Sequence, residues 1–221
     1  MDRPRIARKI IAGFRELSTP NISDALDRLG ISGGCQGLVP IVPGIKMVGT
    51  AFTIRYIPVG MIKGTVGDYI DDVEPGEVVV LDNAGRTDCT VWGDLLTLTA
   101  HQRGIAGTII DGVCRDVPRI RELHYPVFAR GYFMMTGKDR VQADAMNVPV
   151  SVCGVLVKPG DLIVGDDSGV VIVPREKVEQ VLDAVREISA AEEFIEQAIR
   201  RGDKLSEARK KYGYHTLQAK K

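Results

Sequence analysis

The sequence contains few of the residue types that mark specialised classes of small protein. Among 221 residues there are 4 cysteines and 3 histidines, and aromatic residues make up 5% of the chain. The cysteines lie far apart, at Cys35, Cys89, Cys114 and Cys153, and no two form a Cys-x-x-Cys pair. This spacing argues against a zinc knuckle, a redox dithiol and a disulfide framework. The histidines likewise lack the His-x-x-x-His spacing of a common zinc site.

An excess of charge of either sign is also absent. Lys and Arg together number 29, as do Asp and Glu, so the formal net charge is zero. Basic residues gather at the two ends, where Arg3, Arg5, Lys220 and Lys221 lie, but no aromatic residues alternate with them. Since bases stack on aromatic side chains in single-strand binding sites, solvated charge is a better interpretation than a nucleic-acid arm. We expect no nucleic-acid partner.

Long hydrophobic runs are missing as well. No stretch approaches the ~20 apolar residues that are needed to cross a bilayer, and Arg5 and Arg8 interrupt the first apolar segment. The sequence therefore predicts no membrane partner and, by default, a cytoplasmic location. What the chain does have is the composition of a protein with a packed core, with 44% hydrophobic and 26% charged residues.

Apolar periodicity divides the chain into helices and strands in a mixed order. Helical spacing predicts helices over 4–16, 21–30, 93–103 and 176–201. Short segments rich in Val and Ile predict strands over 49–57, 77–81, 108–110, 127–129, 150–157, 161–164 and 169–173. Strands interleaved with helices indicate an α/β protein, and the strands late in the chain suggest stacked sheets. We expect a single domain over 1–221, because no repeat or flexible linker divides it.

The first segment that can carry chemistry is 81–96. Its pattern predicts a strand that ends near Leu81, a polar loop, and a helix that begins near Gly93. Helix N-termini expose backbone N–H groups and bind carboxylates or phosphates readily. Gly93 would let a ligand approach the backbone closely. Asp94 in the first turn has two equally favoured interpretations, a ligand-binding residue or a simple complement to the helix dipole.

The second such segment is 107–123. A buried strand is predicted to end near Asp111, and Arg115 and Asp116 follow at the start of a helical turn. In α/β proteins ligands gather at the carboxyl ends of strands, so this segment and the previous one would share a crevice if their strands are neighbours. Arg115 suits a carboxylate or enolate oxygen, although a surface ion pair is the commoner role. Asp116 suits Mg²⁺ or Mn²⁺, but equally an N-cap with Pro118 in the first turn.

Several segments together resemble one known family. The chain has the motif WGDLL over 92–96 and, after about twenty residues, DGxxRD over 111–116. It also has TPNISDAL over 19–26, VPGIKMVGTAFTI over 42–54 and VKPGDLIVGDDSGVVIVP over 157–174. In wording and order these are similar to the family of 4-hydroxy-4-methyl-2-oxoglutarate aldolases and the regulator of ribonuclease activity A. The resemblance covers about 18–202 and leaves 203–221 as a charged tail.

The resemblance implies a fold and an assembly. The family has an α/β fold, a layered β/β/α sandwich of the RraA-like, swivelling-domain-like type. In this chain it would carry N-terminal helices and a long C-terminal helix. The implied assembly is a homotrimer or a dimer of trimers.

The resemblance also implies an activity. The family's aldolases depend on a divalent metal, use no Schiff base, and cleave 4-hydroxy-2-oxo acids to pyruvate; many also decarboxylate oxaloacetate. The pyruvyl carboxylate would be held by the backbone amides of Gly93, Asp94, Leu95 and Leu96. Asp94 would contact a water on the metal, Arg115 would stabilise the developing enolate oxygen, and Asp116 would ligate Mg²⁺ or Mn²⁺. Lys63 and Lys138 are better interpreted as surface residues than as Schiff-base lysines.

Two features leave the activity less defined. The family places a C-terminal glutamate in a neighbouring subunit's site, and spacing favours Glu193 here, with Glu192 as the alternative and a solvated helix position as the other interpretation. The aldolases often have an acid three positions after the metal-binding aspartate, where this chain has Arg119. A lyase on another 2-oxo or sugar acid is therefore an alternative. So is a non-enzymatic protein that regulates a ribonuclease.

Overall fold

The computed structural model describes residues 6–62 and 64–214. Arg3, Arg5, Lys63, Lys220 and Lys221 lie outside the described residues. In the described ranges the helices are α1 (Arg8–Arg15), α2 (Thr19–Arg28), α3 (Asp94–Gln102), α4 (Val117–Glu122), α5 (Val178–Arg200) and α6 (Leu205–Lys211). Two short 3₁₀ segments span Asp68–Asp72 and Arg175–Lys177. No helix in these ranges is long and apolar enough to cross a membrane.

Most of the strands belong to one mixed sheet. The strands are β1 (Val39–Pro40), β2 (Met47–Pro58), β3 (Glu77–Thr90), β4 (Gly107–Cys114), β5 (Val127–Tyr132), β6 (Val141–Met146), β7 (Val150–Val152), β8 (Val155–Val157), β9 (Leu162–Asp166) and β10 (Gly169–Val173). The sheet order is β1-β5-β4-β3-β2-β9-β10, and β6 pairs with the second half of β2. Strands β2 to β5 run parallel, whereas β7 and β8 form a separate hairpin.

The two faces of the sheet pack against different layers. In β3, Val79 and Leu81 belong to the core beneath α3 and α4, while Val78 and Val80 face the β7–β8 hairpin. This alternation follows from the two-residue period of a strand. Further along the same helical face, α1, α2 and α5 cover β9 and β10. Hairpin, sheet and helices thus form the β/β/α layers that the resemblance implied, with the N-terminal helices and the long C-terminal helix in place.

The helices on this face are bounded by ordinary local signals. Ser18 is the N-cap of α2, and its hydroxyl accepts a hydrogen bond from the amide of Asn21 at 3.3 Å. Pro20 lies in the first turn of α2, where no helical amide bond is required. The buried stripe of α5 recurs at three- and four-residue spacing and consists of Val178, Val181, Leu182, Val185 and Ile188. This stripe is the amphipathic pattern seen in the sequence.

Strand β3 continues well past Leu81, where the sequence predicted an end and a polar loop. Ala84 and Gly85 have positive φ angles of 52° and 70°, and the register against β4 shifts between Asp82 and Thr90. The amide of Thr90 donates to the carbonyl of Met135 at 3.0 Å. The segment is polar, yet its backbone remains hydrogen-bonded as a strand. Because the strand prediction relied on hydrophobic periodicity, it could not detect this backbone pairing.

The segment 150–157 was predicted as one strand and is a hairpin. Cys153 and Gly154 both have positive φ angles, 51° and 81°, which is the pattern of a type I′ turn between β7 and β8. The usual Asn-Gly signature of such a turn is absent. Without that signature, the valine-rich segments on the two sides of the turn have the pattern of one continuous strand.

Candidate active site

The parallel pairing of β3 and β4 brings the two predicted segments together. The amide of Arg115, just after β4, donates to the carbonyl of Trp92, just after β3, at 3.0 Å. The missing side chain of Gly93 lets the side chains of Asp116 and Arg115 approach the backbone closely at this junction. A Cβ on Gly93 would lie 2.7 Å from Oδ2 of Asp116 and 3.3 Å from Nε of Arg115. The predicted crevice between two strand ends is therefore present, with the arginine–aspartate pair against Gly93.

Asp116 does not act as a capping side chain. It stands at the N-cap position of α4 with a left-handed backbone, φ 58° and ψ 37°, and its side chain makes no cap hydrogen bond to that helix. Instead its Oδ2 accepts a hydrogen bond from the amide of Asp94 at 3.0 Å and lies 3.4 Å from Nε of Arg115. A left-handed non-glycine residue costs free energy, and such strain concentrates at functional sites. The carboxylate is thus turned toward α3 and the crevice.

The N-terminus of α3 is fixed by a buried network. Trp92, which is 2% exposed, donates from Nε1 to Oγ1 of Thr97 at 2.9 Å, and that hydroxyl donates to the carbonyl of Gly93 at 2.7 Å. The indole also stacks on Tyr125, with ring centroids 6.0 Å apart. Oδ1 of Asp94 accepts from the amide of Leu95 at 2.8 Å. The helix end therefore binds carboxylate oxygens of the protein itself, as a helix N-terminus is expected to do.

A cavity of about 440 Å³ opens in front of this helix end. Its walls include the first turn of α3, residues of the 3₁₀ segment Asp68–Asp72, Thr136 and Lys138, and Arg115 also lines it. A second depression of about 420 Å³ is also lined by Arg115, together with Asp116, Tyr132 and Met134. The volume of the first cavity suits a small organic acid.

Lys138 adds a cation that the sequence reasoning did not assign to substrate binding. Its side chain is exposed and lines the cavity. The loop is held close to β3, because a Cβ on Gly137 would come within 2.3 Å of the carbonyl oxygen of Thr90. No sequence signal identified this lysine, since only the pairing of the loop with Thr90 brings it to the cavity.

Two other positions from the sequence lie apart from the cavity in a single chain. Glu193 is exposed on α5 and its Oε1 accepts from Nε2 of Gln197 at 3.4 Å. The alternative residue, Glu192, instead accepts a 2.5 Å hydrogen bond from the side-chain amide of Asn21. Since α5 packs against α1, α2 and α6, neither glutamate reaches Arg115 of its own chain.

The position that departs from the aldolase pattern is turned away from the site. Arg119 forms an ion pair with Glu122 at 2.8 Å, within α4. It borders neither the cavity in front of α3 nor the depression beside Tyr132. In one chain it therefore has no direct path to a ligand at Arg115.

The structure thus brings an arginine and an aspartate together at the N-terminus of α3, where Arg115 lines both the cavity and the neighbouring depression. Sequence comparison places the chain in a known family. The family model of RraA-like proteins, described as Aldolase/RraA, matches residues 19–172. The chain belongs to the RraA-like family.

The chain matches relatives that differ greatly in length. The chain is 44% identical over 201 residues to the protein DlpA of Legionella pneumophila, covering 89% of this chain but 32% of that longer protein. It is 36% identical over 191 residues to a Halalkalibacterium halodurans protein named, provisionally, a 4-hydroxy-4-methyl-2-oxoglutarate aldolase. That match covers 86% of this chain and 88% of the relative.

Solved structures share the fold over nearly the whole chain. An uncharacterized protein from Pseudomonas syringae pv. tomato superposes with a TM-score of 0.90 and 43% identity, covering 96% of this chain and 98% of that one. Streptomyces coelicolor RraAS2, described as an unusual member of the RNase ES inhibitor RraA protein family, superposes with a TM-score of 0.81. Its identity is 30%, and the match covers 87% of this chain and 98% of that one.

Proposed function

We propose that this chain is a divalent-metal-dependent carbon–carbon lyase. It would cleave 4-hydroxy-2-oxo acids of the 4-hydroxy-4-methyl-2-oxoglutarate type to pyruvate by a retro-aldol reaction, and decarboxylate oxaloacetate at the same site. The observation that carries the proposal is the convergence of Arg115 and Asp116 on the N-terminus of α3, where Arg115 lines a cavity of small-molecule size and Asp116 lines the neighbouring depression. The aldolase name of the Halalkalibacterium relative supports the substrate class.

The donors at Asp116 fit a magnesium-type site. The side chain of Asp116 is 36% exposed and lines the depression beside Tyr132, so its carboxylate is accessible to solvent. Within the described ranges no three His, Cys, Asp or Glu side chains cluster to hold a metal. A site with few protein ligands suits Mg²⁺ or Mn²⁺, because Mg²⁺ keeps several waters and takes one or two carboxylates together with substrate oxygens. When bound, the metal would polarise the ketone of the 2-oxo acid.

The protein's own groups have distinct roles in this proposal. The first-turn amides of α3, from Gly93 to Leu96, hold the carboxylate of the 2-oxo acid, which would replace the protein carboxylate oxygens that the amides of Asp94 and Leu95 bind in the structure. The guanidinium of Arg115 lies where negative charge collects on the enolate oxygen, and preorganised charge of this kind stabilises a transition state strongly. The carboxylate of Asp94 orients the water that takes the proton of the 4-hydroxyl group. Cleavage of the C3–C4 bond then leaves the enolate of pyruvate.

One site can perform both reactions because both release the same enolate. In the retro-aldol reaction the C3–C4 bond electrons pass to C3 and onto the ketone oxygen. In oxaloacetate decarboxylation the bond to the departing carboxylate supplies the same electron pair. Arg115 would serve both reactions, whereas the base that accepts the hydroxyl proton is required only for the aldol cleavage.

The proposed assembly is a homotrimer or a dimer of trimers. Large apolar side chains are exposed around the two cavities, with Leu95 at 74%, Tyr132 at 67% and Met134 at 75% exposure. Exposed apolar surface next to a polar site is characteristic of subunit interfaces. Such an interface would also allow Glu193 of one chain to approach Arg115 of the next, which the chain cannot do alone.

The experiment measures pyruvate release by the full chain with Mg²⁺, with Mn²⁺ and with EDTA. Substrates are oxaloacetate and 4-hydroxy-4-methyl-2-oxoglutarate. We expect turnover that EDTA abolishes and added metal restores. Asp116→Ala should lower kcat/KM by at least about 100-fold, because even outer-shell metal partners contribute 10–100-fold. The matched control Asp183→Ala, on the solvent face of α5, should match the parent. No metal-dependent turnover on any 2-oxo acid would falsify the proposal.

A second candidate is a non-enzymatic regulator of a ribonuclease. It is favoured by the similarity to Streptomyces RraAS2, whose description names RNase ES inhibition. The discriminating measurement is capture of a purified ribonuclease E-type enzyme at physiological salt. Capture that Arg115→Ala leaves unchanged, in a chain without lyase activity, would favour regulation over catalysis.

A further inference from the structure

On the face of the sheet opposite the candidate active site, two cysteines lie side by side. We propose that Cys35 and Cys153 are a peroxide-sensitive dithiol, a modification site in which Cys153 is the attacking thiol and Cys35 the resolving thiol. The two residues are far apart in sequence, and the absence of a Cys-x-x-Cys pair argued against a redox dithiol. The fold brings them together by packing the β7–β8 hairpin over the loop that precedes β1.

Cys153 is held in place by its backbone. It occupies the first central position of the β7–β8 turn, with φ 51°, where Asn or Gly is the usual residue. Its amide donates to Oδ2 of Asp111 at 2.8 Å, and its sulfur lies 3.8 Å from Oδ1 of the same carboxylate. The residue is partly exposed. A cysteine in this conformation presents a fixed and reachable sulfur.

Cys35 is fixed from the other side. Its amide donates to the carbonyl of Val170 at 2.9 Å, and Gly34 forms a bridge to Val171 of β10. The side chain is buried, 6% exposed, with its sulfur 4.0 Å from the carbonyl oxygen of Val152. Cys153 packs against the same buried cluster to which Cys35 belongs. The fold thus places the two side chains next to each other before any oxidation.

The surroundings of the pair shift the pKa values of the two thiols in opposite directions. The hydrogen bond from Cys35 lowers the pKa of Cys153, and the guanidinium of Arg130 lowers it further, while burial and Asp111 act in the opposite direction. The same hydrogen bond and burial raise the pKa of Cys35. Arg130 is itself held by Asp111, with Nε 2.6 Å from Oδ1. Cys153 therefore ionises first and Cys35 keeps its proton.

The other two cysteines provide an internal contrast. Burial raises the pKa of Cys114 to about 12 and also raises that of Cys89. Both side chains are fully buried. Since the thiolate is the nucleophile, and since Cys153 is partly exposed while these two sulfurs are buried, Cys153 should react faster than either.

The proposed oxidant is hydrogen peroxide. The thiolate of Cys153 attacks one peroxide oxygen, the O–O bond breaks, and with one proton the products are a sulfenic acid and a water. Cys35 then loses its proton and attacks the sulfenyl sulfur, and the hydroxyl group leaves as a second water. The sum is two thiols and one peroxide giving one disulfide and two waters. Thioredoxin-type dithiols would reverse it.

The test maps the thiols of the reduced full chain after hydrogen peroxide at neutral pH, by alkylation under denaturing conditions, proteolysis and mass spectrometry. The expected result is a joint loss of free Cys35 and Cys153, with one linked peptide that dithiothreitol releases. Cys89 and Cys114 should remain alkylatable at that dose. If Cys35 and Cys153 stay as free as Cys89, or if Cys153 links to another residue, the proposal is wrong.

Two variants separate the steps. In Cys35→Ser, peroxide should leave a sulfenic acid on Cys153 that dimedone captures, because the resolving thiol is gone. In Cys153→Ser, Cys35 should stay reduced at the same dose. Dimedone capture on Cys35, or none on Cys153, would overturn the assigned order. Thermal unfolding of each variant is the control for its fold. Whether the disulfide forms is decided by the chain with the parent sequence, so a variant that fails to fold does not leave the proposal untested.

Discussion

Two pairs of aspartates, one within β3 and β4 and one just after these strands, have different surroundings. Asp82 and Asp111 are opposite each other in the sheet and face the hairpin layer, where they accept hydrogen bonds from the amides of Ser151 and Cys153 at 3.2 and 2.8 Å. Asp94 and Asp116 follow the same two strands, and on the helical side Asp94 lines the cavity in front of α3 while Asp116 lines the neighbouring depression. The first pair attaches a layer, whereas the second is bound to the first turn of α3 and is more open to solvent.

The difference lies in what covers each pair. The side chain of Asp111 is 8% exposed and its oxygens are bound by Arg130 and by the hairpin amide. The side chain of Asp116 is 36% exposed and contacts groups at the edge of a cavity. A carboxylate whose acceptors are satisfied by protein donors contributes to stability, whereas one that faces solvent beside a guanidinium is suited to binding. Position at a strand end alone does not separate the two roles.

The largest predicted effect concerns Arg115. Arg115→Met should lower kcat for pyruvate formation by about 10²–10³-fold, the loss expected for one group that stabilises developing negative charge. The measurement is steady-state pyruvate release from oxaloacetate. Arg119→Met is the matched control, since Arg119 pairs with Glu122 and lines neither cavity. If Arg119→Met changes the ratio of the rates on two different 2-oxo acids, Arg119 contacts substrate. Its position in a single chain, away from both cavities, would then not represent the active assembly.

The next effect concerns Gly93. In Gly93→Ala the added Cβ would meet Oδ2 of Asp116 at 2.7 Å and Nε of Arg115 at 3.3 Å. We expect kcat/KM to fall about 100-fold, because misplacement of reacting groups by about 1 Å has that effect. Unfolding in urea should change little, since the backbone of Gly93 is extended. Gly60→Ala, at an open position, is the control. An active Gly93→Ala chain would show that this junction does not position the pair.

Asp111 should matter for stability instead. Asp111→Ala leaves Arg130 and the amide of Cys153 without their acceptor, and we expect a loss of about 2–3 kcal/mol in the free energy of unfolding. Equilibrium urea denaturation measures it. Asp82→Ala, at a more exposed carboxylate with the weaker contact to Ser151, should cost only about 1 kcal/mol. If Asp111→Ala is as stable as the parent but inactive, the contrast between the two pairs fails.

The smallest effect concerns Lys138 at the rim of the cavity. Lys138→Met should raise KM about 10-fold for a 2-oxo acid that has a second carboxylate, as expected for loss of one hydrogen bond to a charged group. KM should stay constant for a 4-hydroxy-2-oxo acid without that carboxylate. Equal changes in KM for both substrates would mean that Lys138 does not bind the second carboxylate.

Much of the fold could be predicted from the sequence because hydrophobic periodicity reports burial directly. The long C-terminal helix was placed within two residues at its start, and the strand over Gly169–Val173 has the predicted bounds. The extension of β3 beyond Leu81 and the turn at Cys153 escaped prediction. Both are held by backbone pairing and positive φ angles, which leave little trace in apolar spacing.

For the candidate site, the sequence by itself determined the chemical groups and their order, Gly93 to Leu96 and then Arg115 and Asp116. It left open whether Asp116 caps α4, because an N-cap and a ligand have the same residue type. Only the tertiary structure decided this, by turning the carboxylate toward α3. The same is true of Lys138 and of the contact between Cys35 and Cys153. These groups meet through pairing of distant segments, and local sequence does not encode which distant segments will lie together.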